Sequence, residues 1–127
     1  MNKAGLMEKL DQTLTVITDW NEKASRLYLK VKLMRRARAD DLLRFMSSNL
    51  ASGSVIYDVG AYVGMYSIVL ANKVANSLVY AFEPNQDVFI RLVRNIRLMG
   101  LQDKIIPMNI ALDEFCGKRT FYVSSAD

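Results

Sequence analysis

One stretch constrains the fold more than any other: Val55-Ile56-Tyr57-Asp58-Val59-Gly60-Ala61-Tyr62-Val63-Gly64-Met65-Tyr66-Ser67. It reads as a short apolar strand with a carboxylate near its end, a glycine-punctuated turn, and the start of a helix. In an open α/β sheet, ligands settle in the crevice beyond the carboxyl ends of the strands. A helix that begins there points free backbone N–H groups into that crevice. Gly60 permits a tight turn, and Gly64 lets the helix start lie close to strand or ligand. Asp58 must be solvated, paired or hydrogen-bonded, because a lone buried carboxylate is costly.

The spacing separates two kinds of nucleotide site. A dinucleotide turn reads G-x-G-x-x-G directly after the strand. Here it is D-x-G-x-x-x-G, with Tyr62 where a second close glycine would stand. An acid beside the turn suits a cationic ligand better than a pyrophosphate, which favours S-adenosylmethionine over NAD. A second strand, Ser77 to Phe82, closes on Glu83-Pro84-Asn85. Glu83 follows Asp58 at about the offset of a ribose-binding acid in nucleotide folds. A carboxylate can accept from both ribose hydroxyls, and Pro84 keeps Glu83 out of helical geometry.

The rest of the chain continues in βα units. A helix is expected over Met65–Val74 and another over Gln86–Met99, stopped by Gly100. Lys104–Ile110 reads as a third strand, and Arg119–Ser124 as a fourth, hairpin-like one after Cys116-Gly117. The alternation predicts an α/β fold with a mostly parallel sheet and right-handed crossovers.

The ordered series Asp58–Ser67, Val79–Asn85, Phe89…Leu92…Asn95-Ile96…Gly100-Leu101, Asn109–Asp113 and Gly117…Thr120–Ser124 resembles the FkbM family of S-adenosylmethionine-dependent methyltransferases. The resemblance implies a Rossmann-like class I methyltransferase sheet and O-methylation of a sugar or other hydroxyl-bearing small molecule. It implies that Asp58, Gly60, Ala61, Tyr62 and Gly64 frame the methionine part of the cofactor. Glu83, Pro84 and Asn85 would serve the ribose, and Asn109, Ile110 and Ala111 would lie near the adenine. Tyr62 departs from the Asn common in that family and would crowd the pocket mouth. The family's sheet order, 3-2-1-4-5-7-6, puts the first strand in the middle. This sequence ends after the third strand and its hairpin, so a partial domain is expected, with Val55–Val59 as an open apolar edge. Weak cofactor binding without turnover follows, and no catalytic acid or base is assigned.

Residues 1–50 read as a helical leader and 51–127 as the cofactor-binding domain. Leu6, Leu10, Leu14, Ile17, Trp20, Ala24, Leu27, Val31 and Met34 form a one-faced stripe with a mean step of about 3.5. It serves either as the helix's packing face on its own domain or as a coiled-coil seam, and the β-branched cluster Thr13–Thr18 marks a break. A second helix is expected over Leu42–Asn49, capped by Asp40 or Asp41. The leader carries ten basic and six acidic residues, whereas residues 51–127 carry seven of each, so the whole excess of +4 lies on the leader. Its Lys30–Arg38 run lacks interleaved aromatics and reads as a solvated face, which argues against a nucleic-acid partner.

There is no histidine and one cysteine, Cys116. Zinc sites built on Cys/His clusters and His-based triads are therefore excluded, no metal is expected, and a reducing, cytoplasmic setting fits. No run approaches a membrane span. A self-associating interaction module, joined through the leader or the free edge, is the competing class, with homo-oligomers as its consequence.

Overall fold

The computed structural model describes residues 3–123, with side chains from Asn21 onward. The order is α1 (Lys3–Ala39), α2 (Asp41–Asn49), β1 (Val55–Val59), α3 (Met65–Lys73), β2 (Leu78–Phe82), α4 (Gln86–Met99) and β3 (Ile105–Met108).

The three strands are parallel in the order β1-β2-β3, with Asp58 beside Ala81 and Val59 beside Phe82. Both crossovers are helical and run the same way across the sheet, so right-handedness places α3 and α4 on one face. Ile56, Val79, Ala81 and Ile105 are buried there. On the other face Val55, Tyr57 and Val59 stand open, and the Tyr57 ring stacks on Tyr80 at 5.4 Å. β1 is a sheet edge, as its sequence implied.

Helix ends follow their chemistry. Asn85 caps α4 by accepting from the N–H groups of Asp87 and Val88, and Gly100 closes it in left-handed geometry. α3 is apolar on nearly every side, with Ser67, Ile68, Val69, Leu70 and Ala71 all buried. It packs on β2 and β3 beneath α1 and α2, which is what an all-round apolar helix requires.

Three expectations are corrected. α1 runs unbroken through Thr13–Thr18, since β-branched residues lower helix propensity by only tenths of a kcal/mol each. Residues 119–123 form no strand, and Phe121, Tyr122 and Val123 are exposed; the last residue of the expected strand, Ser124, lies outside the described residues. The stripe through Ala24, Leu27, Val31 and Met34 does not pack on the domain. α1 docks instead through Leu29, Leu33 and Ala37. The stripe's earlier positions, Leu6 to Trp20, fall where side chains are not described.

The leader is also tied polar to the core. Asp40 caps α2 by accepting from the Leu43 N–H at 2.9 Å, and its other oxygen accepts from the Tyr66 hydroxyl at 2.7 Å. The Tyr66 bond, then the Leu43 bond, hold Asp40 below the ordinary carboxylate value, and the Asp40 bond raises Tyr66 above its ordinary 10.0. A lowered acid stabilises the fold above its unfolded pKa and loses that as pH falls through its folded one; a raised phenol stabilises below pH 10 and loses that on further rise. Tyr66→Phe should therefore lower the thermal midpoint by a few degrees at neutral pH and flatten the loss of stability above pH 10. Equal melting curves for the two proteins between pH 7 and 11 would show that this tether contributes nothing.

Candidate functional site

The carboxyl ends of β1 and β2 lie side by side, and the turn between β1 and α3 is anchored to the end of β2. Gly60 N–H and Ala61 N–H both donate to Phe82 O at 2.9 Å, and Gly64 N–H donates to Ala61 O at 2.8 Å. Gly60 and Gly64 adopt φ of 77° and 89°, and Tyr62 takes the left-handed region at 54°. An L side chain rarely sits there without a restraint.

Glu83 supplies that restraint. The residue is 7% exposed; one carboxylate oxygen accepts from Tyr62 N–H and the other from Asn85 N–H, each at 2.9 Å. A single side chain thus fixes the turn after β1 and the turn after β2. Asn109, just past β3, donates through Nδ2 to Glu83 O at 2.8 Å and Pro84 O at 3.2 Å. That links the third strand end to the same edge.

Asp58 turns toward α3. Its Oδ2 accepts from Ser67 N–H at 3.1 Å and Ser67 Oγ–H at 2.5 Å. Gly64 stands at the N-cap of α3 and has no side chain to cap it, so a carboxylate from β1 satisfies an orphan N–H of the first turn instead. The anion also faces the positive end of the helix dipole.

The structure therefore brings Asp58, Gly60, Ala61, Tyr62, Gly64, Glu83, Pro84, Asn85 and Asn109 to one edge. Ile110 and Ala111 follow Asn109 as exposed, irregular chain. Sequence reasoning missed two supports. Ser67 lay inside the quoted motif without a role, and its clue was the bare glycine cap three residues earlier. Asn95, whose Nδ2 donates to Val63 O at 2.9 Å, pins the turn from α4 and carries no local sequence signal. Among the described residues no helix is long and apolar enough to cross a membrane.

The family model of the TRM5/TYW2 methyltransferase domain matches residues 19–122. The hexuronic acid methyltransferase AglP of Haloferax volcanii is 34% identical over 82 residues, covering 64% of this chain and 32% of that protein. The structure of Pyrococcus horikoshii TYW2 in complex with MeSAdo superposes with a TM-score of 0.52 at 26% identity. It covers 62% of this chain and 30% of that one. The chain thus spans about a third of the length of the relatives it matches.

Proposed function

Because the chain belongs to the TRM5/TYW2 methyltransferase domain family, we infer that it binds S-adenosylmethionine at the carboxyl edge of β1 and β2 and forms one wall of a methyl-transfer site. In this reading residues 1–50 are a helical leader and 51–127 the cofactor-binding part. The observation that carries it is the Glu83 carboxylate, buried at the strand edge and holding both adjoining turns.

The residues fit the cofactor. A carboxylate offers about four lone-pair positions, and each Glu83 oxygen receives one backbone N–H, which leaves acceptor capacity for two ribose hydroxyls. A side chain at Gly60 would meet no atom within 4 Å, so the turn presents bare backbone to open space. When bound, S-adenosylmethionine supplies a methyl group on a sulfonium. Asp58 and the turn Gly60–Gly64 position its methionine part, with Ala61 and Tyr62 forming the rim. Glu83, Pro84 and Asn85 hold the ribose, and Asn109, Ile110 and Ala111 border the adenine. Proximity and in-line placement can provide most of the acceleration for such a transfer.

The acceptor in this reading is a hydroxyl group of a sugar or similar small molecule. Similarity to a hexuronic acid methyltransferase and the FkbM-type motif series support it. A cytoplasmic setting fits the exposed free thiol of Cys116. A specific observation favours nucleic acid as a second reading. A cleft of ≈ 610 Å³ between α1 and α4 is lined by four cations, Lys23, Arg26, Arg94 and Arg97, against one acid, Glu22, and phosphate binding there would fall steeply with salt.

Calorimetric titration with S-adenosylmethionine and S-adenosylhomocysteine tests the cofactor site, with the Asp58→Ala, Glu83→Ala double variant alongside. Saturable binding by the parent chain, lost in a variant that keeps its helical circular dichroism, is the expected result. A folded parent chain that binds neither compound would overturn the reading.

A further inference from the structure

α1 carries two apolar faces, and the domain covers only one. Leu29, Leu33 and Ala37 dock on the domain, whereas Leu27, Val31 and Met34 are 65, 48 and 56% exposed and Ala24 is exposed beside them. At 3.6 residues per turn the centres of the two sets lie about 140° apart around the helix. The exposed set is narrow. It steps 3, 4, 3 from Ala24 to Met34, and the sequence continues the same spacing back through Trp20 and Ile17. A helix resting on lipid shows a broad apolar face, whereas a strict 3.5-residue seam is the mark of a helix paired with a helix.

The flanks define the partner. With Ala24 and Val31 at a and Leu27 and Met34 at d, the g positions are Lys23 and Lys30 and the e positions Asn21, Tyr28 and Arg35. None is acidic. Residues 21–39 hold seven cations and one anion, Glu22. Charges at e and g set partner choice in such pairs. A second copy laid parallel would bring Lys30 against Arg35, and one laid antiparallel about this stretch would bring Lys30 against Lys30.

The geometry points to a helix of another protein, with an apolar seam flanked by Glu or Asp at e and g, as the occupant of the Leu27–Val31–Met34 face of α1. The probe is a four-heptad synthetic peptide with Leu at a and d and Glu at e and g, compared with the same peptide carrying Gln at e and g. Fluorescence anisotropy with the full chain should show the Glu peptide binding at least about tenfold tighter at low salt, with the advantage shrinking as salt screens the flanks. A Leu27→Gln, Val31→Gln chain should lose at least about tenfold in affinity while melting at the same temperature, since both positions are exposed. Equal affinity for the two peptides, or undiminished binding by the variant, overturns the proposal. So does a dimer of the chain alone that the variant dissolves, which assigns the face to a second copy. Seam-dependent binding to phosphatidylglycerol vesicles without peptide binding overturns it in favour of lipid.

Discussion

Replacing Glu83 by Ala should lower the stability of the domain by about 2–4 kcal/mol and abolish cofactor binding. A hydrogen bond to a charged group contributes about 1.5–3 kcal/mol, and removing the acceptor leaves its donors without a partner. Glu83 is buried and accepts from two backbone N–H groups, and the two bonds are not additive because they share one side chain. The loss is large beside a total stability of roughly 5–15 kcal/mol. It also frees Tyr62 from its left-handed φ, so the turn proposed to hold the cofactor relaxes. Glu83→Gln keeps one acceptor oxygen and sets an NH₂ against the other N–H, so an intermediate loss of about 1–2 kcal/mol is expected. Urea unfolding measures the stability and calorimetry the affinity. An Ala variant as stable as the parent and binding as tightly would remove Glu83 from both roles.

The site was more legible than the way the leader sits. Asp58 and Glu83 could be placed because a carboxylate closing an apolar strand is hard to explain otherwise. α4 was bounded correctly, its end by the strong stop signal of Gly100, whereas Asn85, read only as a ribose contact, turns out to cap its start. Contacts from elsewhere in the chain were hardly legible. Ser67 and Asn95 reach the site through α3 and α4; the bare Gly64 cap was a faint clue to the first, but a hydrogen bond 32 residues apart leaves no pattern in a window of sequence.

Of the two readings of the leader's stripe, the packing face failed for a different reason. The long stripe through Leu27 and Met34 outweighs the short set Leu29, Leu33 and Ala37, yet the short set makes the contact. Periodicity identifies an apolar face and not its partner. The Thr120–Val123 run misled in the same way: its composition suits a strand, but a strand also needs a free neighbouring edge at the right register. The motif series pointed to the cofactor class of the matching methyltransferase family but to another branch of it, since it resembles FkbM and the family model that matches is the TRM5/TYW2 domain.

The two glycines of the turn should respond differently to the same substitution, Gly64 chiefly in stability and Gly60 chiefly in affinity. A Cβ at Gly64 would lie 2.6 Å from Leu92 Cδ1, and Leu92 is wholly buried in the core. Overpacking of this kind costs about 1–3 kcal/mol, and a left-handed φ adds about 1–2 kcal/mol for a residue with a Cβ. Gly64→Ala should therefore destabilise the fold by about 2–5 kcal/mol. A Leu92→Ala, Gly64→Ala pair should lose less than the sum of the single changes, because the clash is with that side chain. Gly60 has the same backbone strain, at φ 77°, but open space around it. Gly60→Ala should lose only about 1–2 kcal/mol of stability, and its methyl group projects into the space assigned to the cofactor. Its affinity for S-adenosylmethionine should fall at least about tenfold, equivalent to about 1.4 kcal/mol, while the protein stays folded. Unchanged affinity in the Gly60 variant would mean that the cofactor does not approach this backbone. The buried carboxylate and its turns would then be a fold device, with the ligand held elsewhere on the edge.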